Sequence, residues 1–274
     1  MRYLFLDIDN TLYSPAQGCI PSSALQAISS ARKNGSKVFL CTGRSLAESA
    51  DYLQLPIDGF VFASGAMCYA EGKRVYDHPI EAELIQEVEQ LIHSCGMGVL
   101  LGGSAGAYVD SLCRTHLEGY LSGGDTDQGN RLAVMLRNGM YSYADRHPAD
   151  PIYKLGASVE HGGSFEELRT RLPEALNMIV TITSSSGDFA EITDKRINKA
   201  TGIQQILKTY GADMEEAVGI GDSGNDIEMI RACGVGIAMG NAFPEVKEAA
   251  DWVTTHIDED GLRNAFLHVG VITE

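Results

Sequence analysis

The sequence predicts an α/β protein in which a doubly wound parallel sheet is interrupted by an inserted α+β domain. Three observations predict it. Short apolar runs end abruptly in polar or glycine-rich turns, and most of those turns lead into amphipathic stretches bounded by helix-start and helix-stop residues. That alternation is the pattern of a parallel, Rossmann-like sheet wound with helices. In the middle of the chain it gives way to a long helix and glycine-punctuated, β-rich runs. Length and composition agree. The chain has 274 residues, 44% of them hydrophobic, and at that size roughly three quarters of the unfolded surface can be buried. Disordered, collagenous and low-complexity classes are excluded.

Residues 2–6 form the first strand and run into Asp7. Pro21 and Ser22 open a helix that Asn34-Gly35 stops. Residues 37–41 form the second strand and run into Thr42-Gly43-Arg44, after which Ser45-Leu46-Ala47-Glu48 has the pattern of a capping box opening a helix toward Gln54. Residues 59–63 run into Ser64-Gly65. The insert then begins with a helix over 83–95 and strand-like runs at 97–101, 107–109, 133–136 and 152–158. A second capping box, Ser164-Phe165-Glu166-Glu167, starts another helix, and 178–183 is a further β-rich run. Residues 198–210 form a helix closed by Gly211, 217–221 a strand running into Asp222, and 226–232 a helix closed by Gly234. The expected division is a discontinuous core of residues 1–81 and 193–274 carrying an insert of residues 82–192. In an open parallel sheet ligands bind beyond the carboxyl ends of the strands. The turns at Asp7, Thr42, Ser64 and Asp222 are therefore expected to line one crevice.

Acidic residues number 37 against 21 Lys and Arg, a formal charge of −16. Such a surface repels polyphosphate, so nucleic-acid binding is disfavoured and an anionic substrate needs a local positive site. The N-terminal apolar run is cut short by Asp7 and Asp9, and no later run reaches spanning length. No membrane association is expected. Six cysteines lie far apart without a Cys-x-x-Cys pair, which points to reduced, mostly buried thiols in a cytoplasmic protein.

Chemistry concentrates at two strand ends. Asp7-Ile8-Asp9-Asn10-Thr11 sets two carboxylates two residues apart, and Asp222-Ser223-Gly224-Asn225-Asp226 supplies a second acidic cluster expected to reach the same crevice. Four converging carboxylates repel one another unless a cation sits between them. Oxygen ligands without His or Cys favour magnesium over zinc.

The ordered set Asp7-Ile8-Asp9-Asn10-Thr11-Leu12, Thr42-Gly43-Arg44, Lys199 and Gly221-Asp222-Ser223-Gly224-Asn225-Asp226 resembles the four motifs of the haloacid dehalogenase superfamily. The large insert resembles that of the Cof-type branch of sugar-phosphate and cofactor phosphatases. The resemblance implies a magnesium-dependent phosphatase acting on a small phosphorylated metabolite. It makes Asp7 the nucleophile that forms an aspartyl-phosphate and Asp9 the general acid and base. Magnesium would be held by the Asp7 and Asp222 carboxylates and the Asp9 backbone carbonyl, with Asp226 orienting bound waters. Thr42, the Ile8 amide, Gly43, Lys199 and Asn225 would hold the phosphoryl oxygens, and Arg44 would reach the substrate. The insert would act as a cap. Asn10 stands where the family usually has Gly, and Asn198-Lys199-Ala200 departs from its Ser-Lys-Gly pattern. Helix-start context favours Lys199 over nearby Lys195 as the motif lysine.

Two other catalytic patterns occur. Gly219–Gly224 satisfies the dinucleotide fingerprint, but Asp222 would aim a carboxylate at the pyrophosphate. Gly102-Gly103-Ser104-Ala105-Gly106 satisfies the esterase elbow, but a strand-like run follows where an elbow needs a helix. A hairpin turn is the better reading. His116, His147 and His161 are expected at the surface or in a substrate loop, Trp252 in the core, and Asp258-Glu259-Asp260 as solvated charge. Two functional alternatives use the same residues: a phosphomutase or phosphotransferase passing the aspartyl-phosphate to a hydroxyl, and a phosphate-binding regulatory protein without turnover.

Overall fold

The computed structural model describes residues 1–122, 140–160, 163–184 and 187–273. The chain divides into two compact units, one of Met1–Gly43, Gln54–Asp77 and Ile197–Glu274, the other of Arg44–Leu53 and His78–Arg196. The junctions expected at 81/82 and 192/193 thus fall at 77/78 and 196/197. Residues 44–53 also join the second unit, where Glu48 Oε2 lies 3.9 Å from Lys154 Nζ.

The chain begins with β1 (Tyr3–Leu6), β2 (Lys37–Cys41), β3 (Gly59–Phe62), β4 (Met67–Ala70) and β5 (Lys73–Asp77). It continues through β6 (Gly98–Gly103), β7 (Ala107–Val109), β8 (Met140–Ser142), β9 (Ile152–Val159), β10 (Leu176–Ser184) and β11 (Gly187–Asp194). It ends with β12 (Ala217–Gly221), β13 (Val235–Ala238) and β14 (Trp252–Val253). The α-helices described are α1 (Ser22–Lys33), α2 (Ala82–Ser94), α3 (Ser111–Ser122), α4 (Glu166–Arg171), α5 (Lys199–Tyr210), α6 (Ile227–Ala232), α7 (Pro244–Ala249) and α8 (Gly261–His268). No described helix is long and apolar enough to cross a membrane.

The first unit holds an eight-stranded sheet in the order β14-β13-β12-β1-β2-β3-β4-β5, parallel from β14 to β3 and antiparallel at β4 and β5. Every residue of β1 is buried, as a central parallel strand covered on both faces requires. On one face Tyr3, Phe5, Phe39 and Val61 pack against Ile203, Ile206 and Leu207 of α5, with the Phe5 and Phe39 rings stacked at 4.9 Å. Trp252 is only half-buried, correcting the core assignment: its ring stacks on His268 at 4.0 Å.

Some helix signals acted differently from expectation. Ser45 and Glu48 do form the reciprocal box, yet the segment is a 3-10 helix over Ala47–Tyr52. The Ser49 hydroxyl takes the Ser45 carbonyl at 2.9 Å while the Ser49 N–H bonds to Leu46 O, so the i−4 ladder never starts. Gly234 does not close α6 in a left-handed turn. A Cβ there would lie 2.2 Å from Glu215 O, so that glycine serves a close backbone approach.

The second unit holds a six-stranded sheet in the order β10-β11-β9-β6-β7-β8, antiparallel except for β7 and β8. Val88 and Ile92 of α2 and Leu168 of α4 pack on Val99, Leu101, Leu155 and Ala157, while Cys113 and Leu117 of α3 pack with Leu100, Val109 and Phe189. The Ser164 box does not form; the Ser164 hydroxyl accepts the Glu166 N–H instead, and Phe165 precedes the helix. The run 133–136 and His161 lie outside the described residues. His116 is buried against the Ser158 hydroxyl at 2.9 Å, whereas His147 is exposed. The elbow pattern is a hairpin turn, closed by Gly103 N–H to Gly106 O at 2.8 Å, with the Ser104 hydroxyl donating to Asp150. Cys41, Cys68, Cys113 and Cys233 are buried free thiols, Cys95 is half-buried and Cys19 exposed.

Asp58 ties α1 to β2. Its carboxylate accepts Arg32 Nε and the Val38 N–H, both at 2.9 Å, with Lys37 at 3.4 Å. Burial pushes the carboxyl up, but the Arg32, Val38 and Lys37 donors outweigh it and leave the group below its ordinary value. A lowered acid stabilises the fold above the unfolded-state value and loses that contribution as pH falls through the folded value. Asp58→Asn should therefore lower the melting temperature at pH 7 by roughly 2–4 °C, with the difference from wild type shrinking below pH 4. Thermal denaturation across pH reads both.

Candidate active site

Ends of parallel strands in the first unit build the site. Beyond β1 the Asp7 N–H donates to Ile220 O at 3.0 Å, which sets this carboxylate beside the end of β12. The chain then turns sharply: the Ile8 carbonyl accepts the Leu12 and Tyr13 N–H groups at 2.9 and 2.7 Å, and Asn10 adopts φ 58°. Asparagine tolerates that left-handed conformation, so the usual glycine is dispensable here. Asn241 braces the turn by donating to Asn10 O at 2.7 Å, and Asp258 accepts the Ser14 hydroxyl at 2.6 Å. Asp258 is therefore a structural acceptor, not merely solvated charge.

Lys199 is the first residue of α5, capped by the Asn198 side chain, which accepts the Thr201 N–H at 2.9 Å. The helix start docks on the loop after β3 because Gly65 has φ 114° and no Cβ. A Cβ there would lie 2.1 Å from Asn198 O. The Lys199 ammonium, fully buried, donates to Asp7 Oδ1 at 2.5 Å and Asp226 Oδ1 at 2.6 Å. Rival Lys195 is exposed. Asp226, also fully buried, turns its other oxygen to the Asp222 and Ser223 N–H groups, each at 3.0 Å. Gly221 makes room for it, since a Cβ would meet Asp226 Cγ at 2.3 Å.

Three buried carboxylates, Asp7, Asp222 and Asp226, thus bring an oxygen each within 4.8 Å of one another. Lys199 is the cation bonded among them. Burial pushes the Asp7 carboxyl up to about 7, with Asp226 and Asp9 adding to the rise and Lys199 opposing it. Asp222 is pushed up to about 8 by burial and by Asp7 and Asp226, against the Thr11 hydroxyl. Burial alone would lower Lys199, but Asp226 and Asp7 raise it well above its ordinary value. The surplus of negative charge favours a cation bound by oxygen ligands.

The remaining candidates fall as follows. Thr42 is buried at the end of β2, its N–H bonded to Val61 O at 2.8 Å. Gly43 lies where a Cβ would stand 3.2 Å from Ser64 Oγ and 3.3 Å from Asn225 Nδ2, so these residues share one rim. Asn225 is exposed, with Oδ1 accepting the Ser223 hydroxyl. Asp9 is half-buried, and its carboxylate is not one of the three clustered ones. Arg44 belongs to the second unit, donating to Glu48 O at 3.3 Å and lying over the Tyr52 ring. Sequence reasoning missed Thr11, whose hydroxyl donates to Asp222 Oδ1 at 3.1 Å. Its place inside the first acidic run was the available signal.

Residues 4–266 match the sequence profile of the haloacid dehalogenase-like hydrolases. The chain belongs to that family. It is 24% identical to a Bacillus subtilis protein named "Putative phosphatase YkrA", over 99% of this chain and 98% of the relative. Among solved structures it resembles BT1666, a phosphatase of the superfamily from Bacteroides thetaiotaomicron, with a TM-score of 0.83 and 26% identity over 99% of this chain and 96% of the other. It also resembles the subclass IIB sugar phosphatase BT4131, with a TM-score of 0.76 and 28% identity over 99% and 100% of the two chains. The doubly wound core and the enzyme class, a phosphatase of this family, follow from these matches.

Lys199→Met would leave Asp7 and Asp226 buried without their shared cation. Loss of one partner from a buried ion cluster typically costs about 3–5 kcal/mol. Urea denaturation should show a loss of that order, and Lys199→Met/Asp226→Asn should recover part of it without recovering activity.

Proposed function

We propose that the protein is a magnesium-dependent phosphatase that hydrolyses a small phosphorylated metabolite through an aspartyl-phosphate on Asp7. The observation that carries this reading is the Lys199 ammonium bonded to Asp7 Oδ1 at 2.5 Å in a cluster of three buried carboxylates. Lys199 orients one Asp7 oxygen and partly offsets its charge, and the other oxygen is the candidate nucleophile.

The ligand chemistry fits magnesium, because Asp7 and Asp222 offer hard carboxylate oxygens without any His or Cys. Asp7, Asp222 and the Asp9 carbonyl would hold the ion, while Asp226 fixes Lys199 and the Asp222 loop. When bound, the ion offsets the charge of the carboxylates and of the phosphoryl group.

In the first half-reaction the Asp7 carboxylate oxygen attacks phosphorus, the ester P–O bond breaks, and Asp9 gives its proton to the leaving alkoxide. In the second, the Asp9 carboxylate takes a proton from water as that water attacks phosphorus. The bond from Asp7 to phosphorus then breaks, releasing inorganic phosphate and regenerating the Asp7 carboxylate. Lys199, Thr42, the Ile8 amide, Gly43 and Asn225 are assigned to the phosphoryl oxygens. Asp226, bonded to Lys199 and to the Asp222 loop, is a positioning residue in this scheme.

Asp7→Asn should abolish hydrolysis of p-nitrophenyl phosphate while leaving the circular dichroism spectrum unchanged; turnover at the wild-type rate overturns the nucleophile assignment. EDTA should remove activity and added magnesium restore it. Asp9→Asn should lower kcat on alkyl phosphates by roughly 10²–10⁴ but act less on p-nitrophenyl phosphate, whose leaving group needs little protonation. Equal losses on both substrates would count against Asp9 as the acid. BT4131 is a sugar phosphatase, so sugar phosphates are the first class to screen.

A further inference from the structure

The second unit contains a buried charged chain that none of the assigned roles uses. Lys154 of β9 is 8% exposed and Glu48 is 5% exposed. The Lys154 ammonium lies 3.2 Å from Glu191 Oε1 and 3.9 Å from Glu48 Oε2. Its aliphatic stem crosses Gly102, where a Cβ would come within 2.6 Å of Lys154 Cγ. The strand is thus built to let this lysine lie flat. Glu48 Oε2 in turn accepts the Ser45 N–H at 2.6 Å, the Ser45 hydroxyl accepts the Glu48 N–H at 3.3 Å, and the Arg44 guanidinium reaches Glu48 O. Arg44 and Ser45 are the two residues that directly follow Thr42-Gly43.

We infer that Lys154 is a positioning residue for phosphoryl transfer, acting through Glu48 to fix the Arg44-Ser45 backbone that leaves the phosphoryl-binding turn. The inference rests on the phosphatase reading above. The groups that face Glu48 are Lys154 from β9 and Arg44 and Ser45 from its own loop, with Glu191 of β11 behind Lys154. Burial pushes the Glu48 carboxyl up, and Lys154, the Ser45 donors and Arg44 more than reverse the push, so it stays ionised at neutral pH. Without Lys154 one of the two cations that keep the carboxylate ionised disappears and the acid form gains. A salt bridge that served folding alone would change stability without moving a pH profile.

Steady-state hydrolysis of p-nitrophenyl phosphate across pH by wild type, K154M, K154R, E48Q and K154M/E48Q separates the two. K154M should raise KM and move the acid limb of kcat/KM upward by about one pH unit, a tenfold change in proton affinity. K154R should restore the wild-type profile, and in the E48Q background the lysine substitution should move the limb no further. Carbon NMR titration of the Glu48 carboxyl reads the same link without turnover, so a wild-type protein that hydrolyses nothing would sink the phosphatase reading while this link is still decided. Should K154M not fold, K154Q replaces it. An unmoved Glu48 titration, or an acid limb that shifts equally with and without Glu48, overturns the proposal.

Discussion

The constraint on which the rest of the site depends is the burial of one ammonium between two carboxylates. Taking Lys199, Asp7 and Asp226 out of water costs several kcal/mol per ion, and only short, well-aimed contacts offset it. Those contacts exist because three backbone turns hold the charged groups in register: Asp7 by its N–H on Ile220, Asp226 by the two amides it accepts, and Lys199 by the capped start of α5. Each partner saturates another. The electrostatic cost that makes the cluster expensive also keeps it in one arrangement.

Close backbone approach is the means. Gly65 against Asn198, Gly221 against Asp226, and Gly202 against Gly65 each leave no space for a Cβ. These glycines bring loops near enough for side chains of ordinary length to meet in a buried cluster. In the second unit Gly102 plays the same part for Lys154, clearing a lane on the sheet for a long cationic stem.

Sequence reasoning reached the strand ends well because a buried parallel strand must be apolar and must stop where its carboxylate begins. Residues 2–6 before Asp7 and 217–221 before Asp222 carry that signature plainly, and so does the helix stop at Gly211, which takes φ 64°. Short polar boxes were less reliable. Ser45 and Glu48 found each other, but Ser49 diverted the carbonyl that an α-helix needs, and the Ser164 box lost its acceptor to a nearer amide. Gly234 was read as a helix stop when its real neighbour, Glu215 O, belongs to another segment. The same limit hid Asn241, Asp258 and the Lys154–Glu48 pair: their partners are distant in sequence, and no periodicity records a contact between a loop and a remote strand. Thr11 was legible in principle, because it stands within the acidic run whose charge it helps to hold.

The register of the central strand also governs how the molecule comes into being. Tyr3 lies opposite Lys37 on one side and opposite Ala217 on the other. During synthesis β1 can pair with β2 early, but its second edge stays open until the whole intervening chain and then β12 have left the ribosome. Such long-range pairing slows folding, and an open apolar edge invites association with other chains. The carboxylate cluster cannot assemble before that edge closes, so a nascent chain acquires its charged centre only when this apolar edge has been sealed.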